Sequence, residues 1–280
     1  MILLKIIALI ALVTGSTTDI IRREVPDLVN FGLIVGALGV RLIFSLSTSN
    51  YWIFLYGLFG LLIGVGIAYT MYYLGQWGGG DAKLLMGLGA IIGLELHLMN
   101  NFVIFMITVL FVGAVYSLVW SIVLMIKNWS RFKITFKRFI NKPKIVLARK
   151  IVIAVCIVLL VSAVLVQSFF AKFTIIVVLV MVFFLFYLWL FVKVIEMSSF
   201  YKHVKPEQLT EGDWIAKNII IKGKKICGPK DLGITKKQIK LLKKLKVKRI
   251  LIKEGIPFVP VFLIAYIIVL IFSDWVFAFI

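Results

Sequence analysis

Gly78-Gly79-Gly80-Asp81-Ala82-Lys83-Leu84-Leu85-Met86-Gly87-Leu88-Gly89-Ala90 is the stretch that decides how this chain reads. Three glycines and a carboxylate stand directly before an apolar run. A carboxylate at the mouth of a membrane segment is costly and marks a functional position by default. A second one, Asp19, closes the first apolar segment, and Asp274 near the far end of the last is a weaker third.

The composition around these acids is that of a membrane protein. Of 280 residues, 62% are hydrophobic and the mean hydropathy is +1.09, against about 45–50% apolar in soluble domains. Apolar runs of about 20 residues suffice to span a bilayer, and the sequence predicts eight: Met1–Ile20, Leu28–Leu46, Tyr51–Leu74, Ala82–His97, Phe102–Ile126, Ile145–Phe169, Phe173–Ile195 and Pro257–Phe279. The fourth is short. The N-terminal stretch has the length of a signal peptide but no small-residue cleavage site, and it reads as a retained helix. The expected class is an all-α polytopic membrane protein of about six to eight transmembrane helices, with a small α+β cytoplasmic domain before the last. Residues 1–197 would form the transmembrane core and additional helices, 198–256 the basic domain, and 257–280 the helix that completes the core.

The charge is distributed as a topology signal. Net charge is +20, and 29 of the 32 Lys and Arg fall on odd-numbered connectors and their helix ends; the exceptions are Lys5, Arg41 and Lys172. The positive-inside bias makes that side cytoplasmic and both termini external. Asp19 and Asp81 then share the cytoplasmic side, which nothing in the counting required. This pattern excludes nucleic acid as a partner and leaves the lipid bilayer. Cys156 and Cys227 lie far apart and build neither a disulfide framework nor a metal site; no cofactor is implied. Within 198–256, Trp214–Ile221, Lys225–Cys227 and Val247–Ile252 read as strands. Thr235-Lys-Lys-Gln238 reads as a capping box opening a helix through Lys246.

Two carboxylates sharing one proton can activate a water and protonate a leaving amine, because nearby like charges split their acidities. Asp19 and Asp81 are 62 residues apart and would have to meet by helix packing. Gly78, Gly79 and Gly80 suit that, through unusual backbone conformations or close approach of a neighbour. Simpler roles stand beside this one. Asp81 can cap the fourth helix, Asp19 can pair with Arg22 or Arg23, and Lys83 reads as a snorkelling lysine.

Three motifs in order carry a resemblance. Asp19-Ile-Ile-Arg22-Arg23-Glu24-Val25-Pro26-Asp27, then Gly78-Gly79-Gly80-Asp81, then Pro257-Phe258-Val259-Pro260 resemble the signature segments of type IV prepilin peptidases. The resemblance implies a membrane aspartyl endopeptidase that removes short basic leader peptides from pilin-like or flagellin-like precursors at the cytoplasmic face. Asp19 and Asp81 carry over as the catalytic pair, Gly78 and Gly80 as backbone elements, and Pro257 and Pro260 as substrate-contact elements. Paired CxxC motifs of the bifunctional bacterial enzymes are missing, so the chain is similar to the monofunctional archaeal type, prepilin or preflagellin. Two other classes remain open: a pilus-assembly scaffold, and a proton-coupled transporter using the same acids.

Overall fold

The computed structural model describes residues 1–97, 100–221, 223–229, 231–245 and 247–278, the side chains of residues 224 and 273–278 excepted. In chain order the helices are α1 (Ile2–Arg22), α2 (Asp27–Ser47), α3 (Trp52–Tyr73), α4 (Gly79–Ile92), α5 (Asn101–Lys127), α6 (Trp129–Ile140), α7 (Pro143–Leu165), α8 (Phe169–Ile195), α9 (Lys236–Lys244) and α10 (Val259–Ala278). Among the described residues, six are long and apolar enough to cross a membrane: α1, α2, α3, α5, α7 and α8. The fold is mostly helical, a multi-pass membrane protein by length and composition, and its short strands precede the last helix.

The fourth expected span is the main correction. Its helix, α4, has 14 residues and ends at Gly93, about 21 Å at ~1.5 Å per residue, against a hydrocarbon core of about 30 Å. It is apolar because it is buried in protein. Leu84, Leu85, Leu88 and Ala90 are fully enclosed.

Contacts divide the chain into two compact units, Met1–Leu118 with Pro206–Lys248 and Gly255–Ile280, and Val119–Lys205 with Arg249–Glu254. In the first, α4 is held on α3 by glycine. A Cβ at Gly60 would collide with the Gly89 carbonyl, one at Gly89 with the Gly60 carbonyl, and one at Gly64 would stand 3.2 Å from the Leu85 oxygen. Small residues let membrane helices approach backbone to backbone, where dispersion replaces the missing hydrophobic drive. Gly60→Ala should therefore lower stability by about 2 kcal/mol, the scale of overpacking, seen as a lower thermal midpoint in detergent. An unchanged midpoint would mean that the contact is looser than this.

The far end of α4 is closed by Arg41 of α2. Its buried guanidinium donates to the carbonyls of Ala90 (2.9 Å), Ile91 (2.8 Å) and Ile92 (3.0 Å), and to Ile53 (2.8 Å) at the start of α3. The last carbonyls of a helix lack partners and carry its negative pole, so a buried cation there answers both needs. This explains one of the three basic residues that departed from the charge count. α1 tolerates Thr14, Thr17 and Thr18 because each hydroxyl donates to a carbonyl one turn back.

In the second unit α7 and α8 pack together, and α6, a short amphipathic helix, packs on both. Strand β1 (Tyr201–Val204) runs antiparallel to β5 (Ile250–Lys253), Tyr201 opposite Lys253. In the first unit β2 (Trp214–Ile215) and the antiparallel pair β3 (Ile219–Ile221) and β4 (Lys224–Cys227) replace the single long strand expected over 214–221. The capping box at Thr235 is present, with Thr235 N–H donating to Gln238 Oε1 at 2.8 Å. Lys246, where the helix was expected to end, lies outside the described residues.

Candidate active site

The C-terminal end of α1 and the first turn of α4 pack against each other through small residues. A Cβ at Gly15 would stand 3.6 Å from Val25 and 3.8 Å from Leu84; one at Gly80 would stand 3.3 Å from Val25. Val25, in the α1–α2 turn, thus touches the residue before Asp81 and the turn before Asp19. The two carboxyls end up near enough for the charge of Asp19 to bear on Asp81. Among the described residues they are not hydrogen-bonded to each other.

Asp81 reaches its place through the turn that ends α3. Gly75, in the left-handed region at φ 66°, donates to Tyr72 O at 2.9 Å, and Gln76 donates to Met71 O at 2.9 Å. This 5→2 and 6→1 pair is a Schellman closure, which needs a residue free of the Cβ penalty. The chain then turns into Gly78, whose N–H donates to Asp81 Oδ2 at 3.1 Å. The capping role of Asp81 is real, and it engages one carboxyl oxygen. Gly78, Gly79 and Gly80 all keep negative φ, unlike Gly75 and Gly93. Their value is close approach at Gly80, and conformational freedom is used earlier, at Gly75.

Asp19 caps a helix that lies 240 residues away in sequence. Its Oδ2 accepts the Val259 N–H at 3.0 Å, with the Phe258 N–H as a neighbouring donor. Val259 is the first residue of α10, so its N–H is one of the four donors that a helix leaves open. Pro257 and Pro260 are both buried and have no N–H, which leaves Phe258 and Val259 as the donors at this end. The Pro-Phe-Val-Pro segment therefore serves to aim main-chain donors at Asp19. Arg23 forms the left-handed cap of α1 at φ 60° and donates from Nη1 to Gly255 O at 3.1 Å. Its charge bears on Asp19 from the side.

Aromatic packing ties the two halves together. Trp77 lies 5.7 Å from Phe258 and 5.4 Å from Phe262, ring centre to ring centre. On the other side Phe258 presses on Gly113 of α5, where a Cβ would be 3.1 Å from its ring. Tyr116, one turn along α5, lies within electrostatic reach of Asp19 and Arg23. The sequence reading missed Trp77 and Tyr116. Trp77 was findable as the aromatic abutting the glycine triplet, whereas Tyr116 carries no local signal.

Lys83 does more than reach toward a surface. Its Nζ is 2.6 Å from Asp27 Oδ1 and 5.4 Å from the centre of the Phe31 ring. The pair is solvent-exposed and should contribute under about 1 kcal/mol. Lys83→Gln is expected to leave the thermal midpoint nearly unchanged; a large drop would show that the pair also organises α4. His97 lies beside Glu95 at 3.6 Å, next to the end of α4 away from Asp81. The side chain of Asp274 lies outside the described residues.

Residues 6–123 match the model of the type IV leader peptidase family. The preflagellin peptidase of Methanococcus voltae is 33% identical over 134 residues, 44% of this chain and 57% of that protein. The chain thus spans little more than half the length of this relative. No solved structure matches the chain. Residues 6–123, which carry Asp19, Asp81 and the glycines before it, are thus the part of the chain that is similar to the type IV leader peptidase family.

Proposed function

We propose that this chain is a membrane aspartyl endopeptidase that removes short basic leader peptides from pilin-like or flagellin-like precursors. The observation that supports the reading is that Asp19 and Asp81 stand within electrostatic reach of each other where α1 packs on α4, each with one oxygen held by a backbone N–H. A held oxygen fixes the carboxyl's orientation and leaves the other free for chemistry. One carboxylate takes a proton from water as the oxygen attacks the scissile carbonyl. The other carboxyl, protonated, gives its proton to the departing amine, so the pair ends with one proton as it began.

Orientation enters by the same reading. Arg22, Arg23 and Lys83 lie at the aspartate end of α1 and α4, which favours a cytoplasmic site with the N-terminus outside. Basic leaders then meet a basic surface. Asp27 is already paired with Lys83, so exposed Glu24 is the nearby acid able to attract them.

Membranes bearing the chain would be incubated with tagged pilin-like and flagellin-like precursors, and the shortened product read by immunoblot and N-terminal sequencing. Cleavage just before the precursor's apolar helix is the expected result. No processing of any such precursor would move the chain to the scaffold or transporter class.

A further inference from the structure

We propose that the corner between α6 and α7 is a binding site for the phosphate of an anionic phospholipid headgroup. A cavity of about 170 Å³ is lined there by Thr135, Arg138, Phe139, Lys142 and Met197. A hydroxyl, a planar guanidinium fork and an ammonium are a donor set suited to phosphate oxygens. Lys142 Nζ stands 5.1 Å from the centre of the Phe139 ring, and Lys142 is also the N-cap of α7, at that helix's positive pole.

The charge around the cavity is uncompensated. From Lys127 to Lys150 the sequence has nine basic residues and no acidic one. Among the described residues neither Arg138 nor Lys142 pairs with a carboxylate. Glu196, beside Met197, is engaged by Lys193 and Lys253, each at 2.7 Å. An anion entering here meets little opposing charge.

The surroundings select a lipid over a free anion. On α6, Phe132 and Phe139 are buried against Phe191 and Trp189 of α8, at 6.0 and 6.5 Å between ring centres. Trp129 and Ile134 stay exposed beside Arg131, Lys133, Lys137 and Arg138. A basic helix with aromatic anchors is built to lie in the plane of the membrane surface. The α7 and α8 helices bury few of their apolar side chains fully, which leaves a surface that acyl chains can cover.

The full-length protein in neutral detergent would be titrated with dioctanoyl phosphatidylglycerol, and its thermal unfolding midpoint followed. A saturable rise is expected, absent with dioctanoyl phosphatidylcholine. Arg138→Gln with Lys142→Gln should raise the half-saturating concentration about tenfold or more, as for the loss of a charge-assisted hydrogen bond. Thr135→Val, which keeps every charge, should raise it several-fold and serves if the double variant does not fold. Lys236→Gln with Lys237→Gln on α9 should respond as wild type does. Equal half-saturation in wild type and the corner variants would overturn the site. An equal rise with inorganic phosphate would overturn the lipid assignment.

Discussion

Exchanging Asp19 or Asp81 for asparagine is expected to lower leader cleavage by at least about a thousandfold, the scale of losing a group that acts in the transition state, while protein abundance stays near wild type. The hydrogen bonds explain why the two readouts separate. An asparagine at 81 still offers an oxygen to the Gly78 N–H, and one at 19 still offers one to Val259. Both helix ends therefore remain capped, and only the capacity to exchange a proton is lost. Alanine is the informative contrast. Asp19→Ala removes the cap of α10 as well, about 1 kcal/mol, and should lower both abundance and cleavage. Immunoblots of precursor and enzyme on the same membranes measure both quantities. Wild-type cleavage by either asparagine variant would remove that residue from the chemistry.

The second large effect is structural. Arg41→Met should destabilise the protein by about 4 kcal/mol or more, since each buried polar group left unpaired costs about 1–3 kcal/mol. Four carbonyls share this guanidinium. The cation is wedged between Gly57 and Gly93, where added Cβ atoms would strike its side chain, so no neighbour is placed to substitute for it. Lysine should recover only part of the loss, as a single ammonium cannot reproduce the planar fork. Thermal unfolding in detergent, with Arg131→Met on exposed α6 as reference, gives the comparison. A drop no larger than that of the reference would show that water satisfies the end of α4.

The two aspartates were legible in the sequence because a carboxylate inside an apolar stretch stands out against its neighbours. The capping box at Thr235 was legible for a related reason, since its partners are three residues apart and interact locally. The Val259 donor was not legible. A main-chain N–H carries no residue identity, and the contact closes over 240 positions. β1 escaped notice because its four residues become a strand only by pairing with residues 250–253. α4 was read as a membrane span because burial in protein and burial in lipid select the same apolar residues; only its length distinguishes them. Arg41 stood out only as an exception to the charge count, because composition records a cation and says nothing of the carbonyls around it.

The capping of Asp19 by α10 also bears on the order in which the molecule is made. During synthesis both acids precede their last donor, since Val259 follows Asp81 by most of the chain. A nascent chain that has threaded α1 through α4 holds two carboxyls but lacks the N–H that orients one of them. On the proposed function, competence then arrives only when Val259 joins the first four helices, and until that point the site is withheld from the membrane's other proteins.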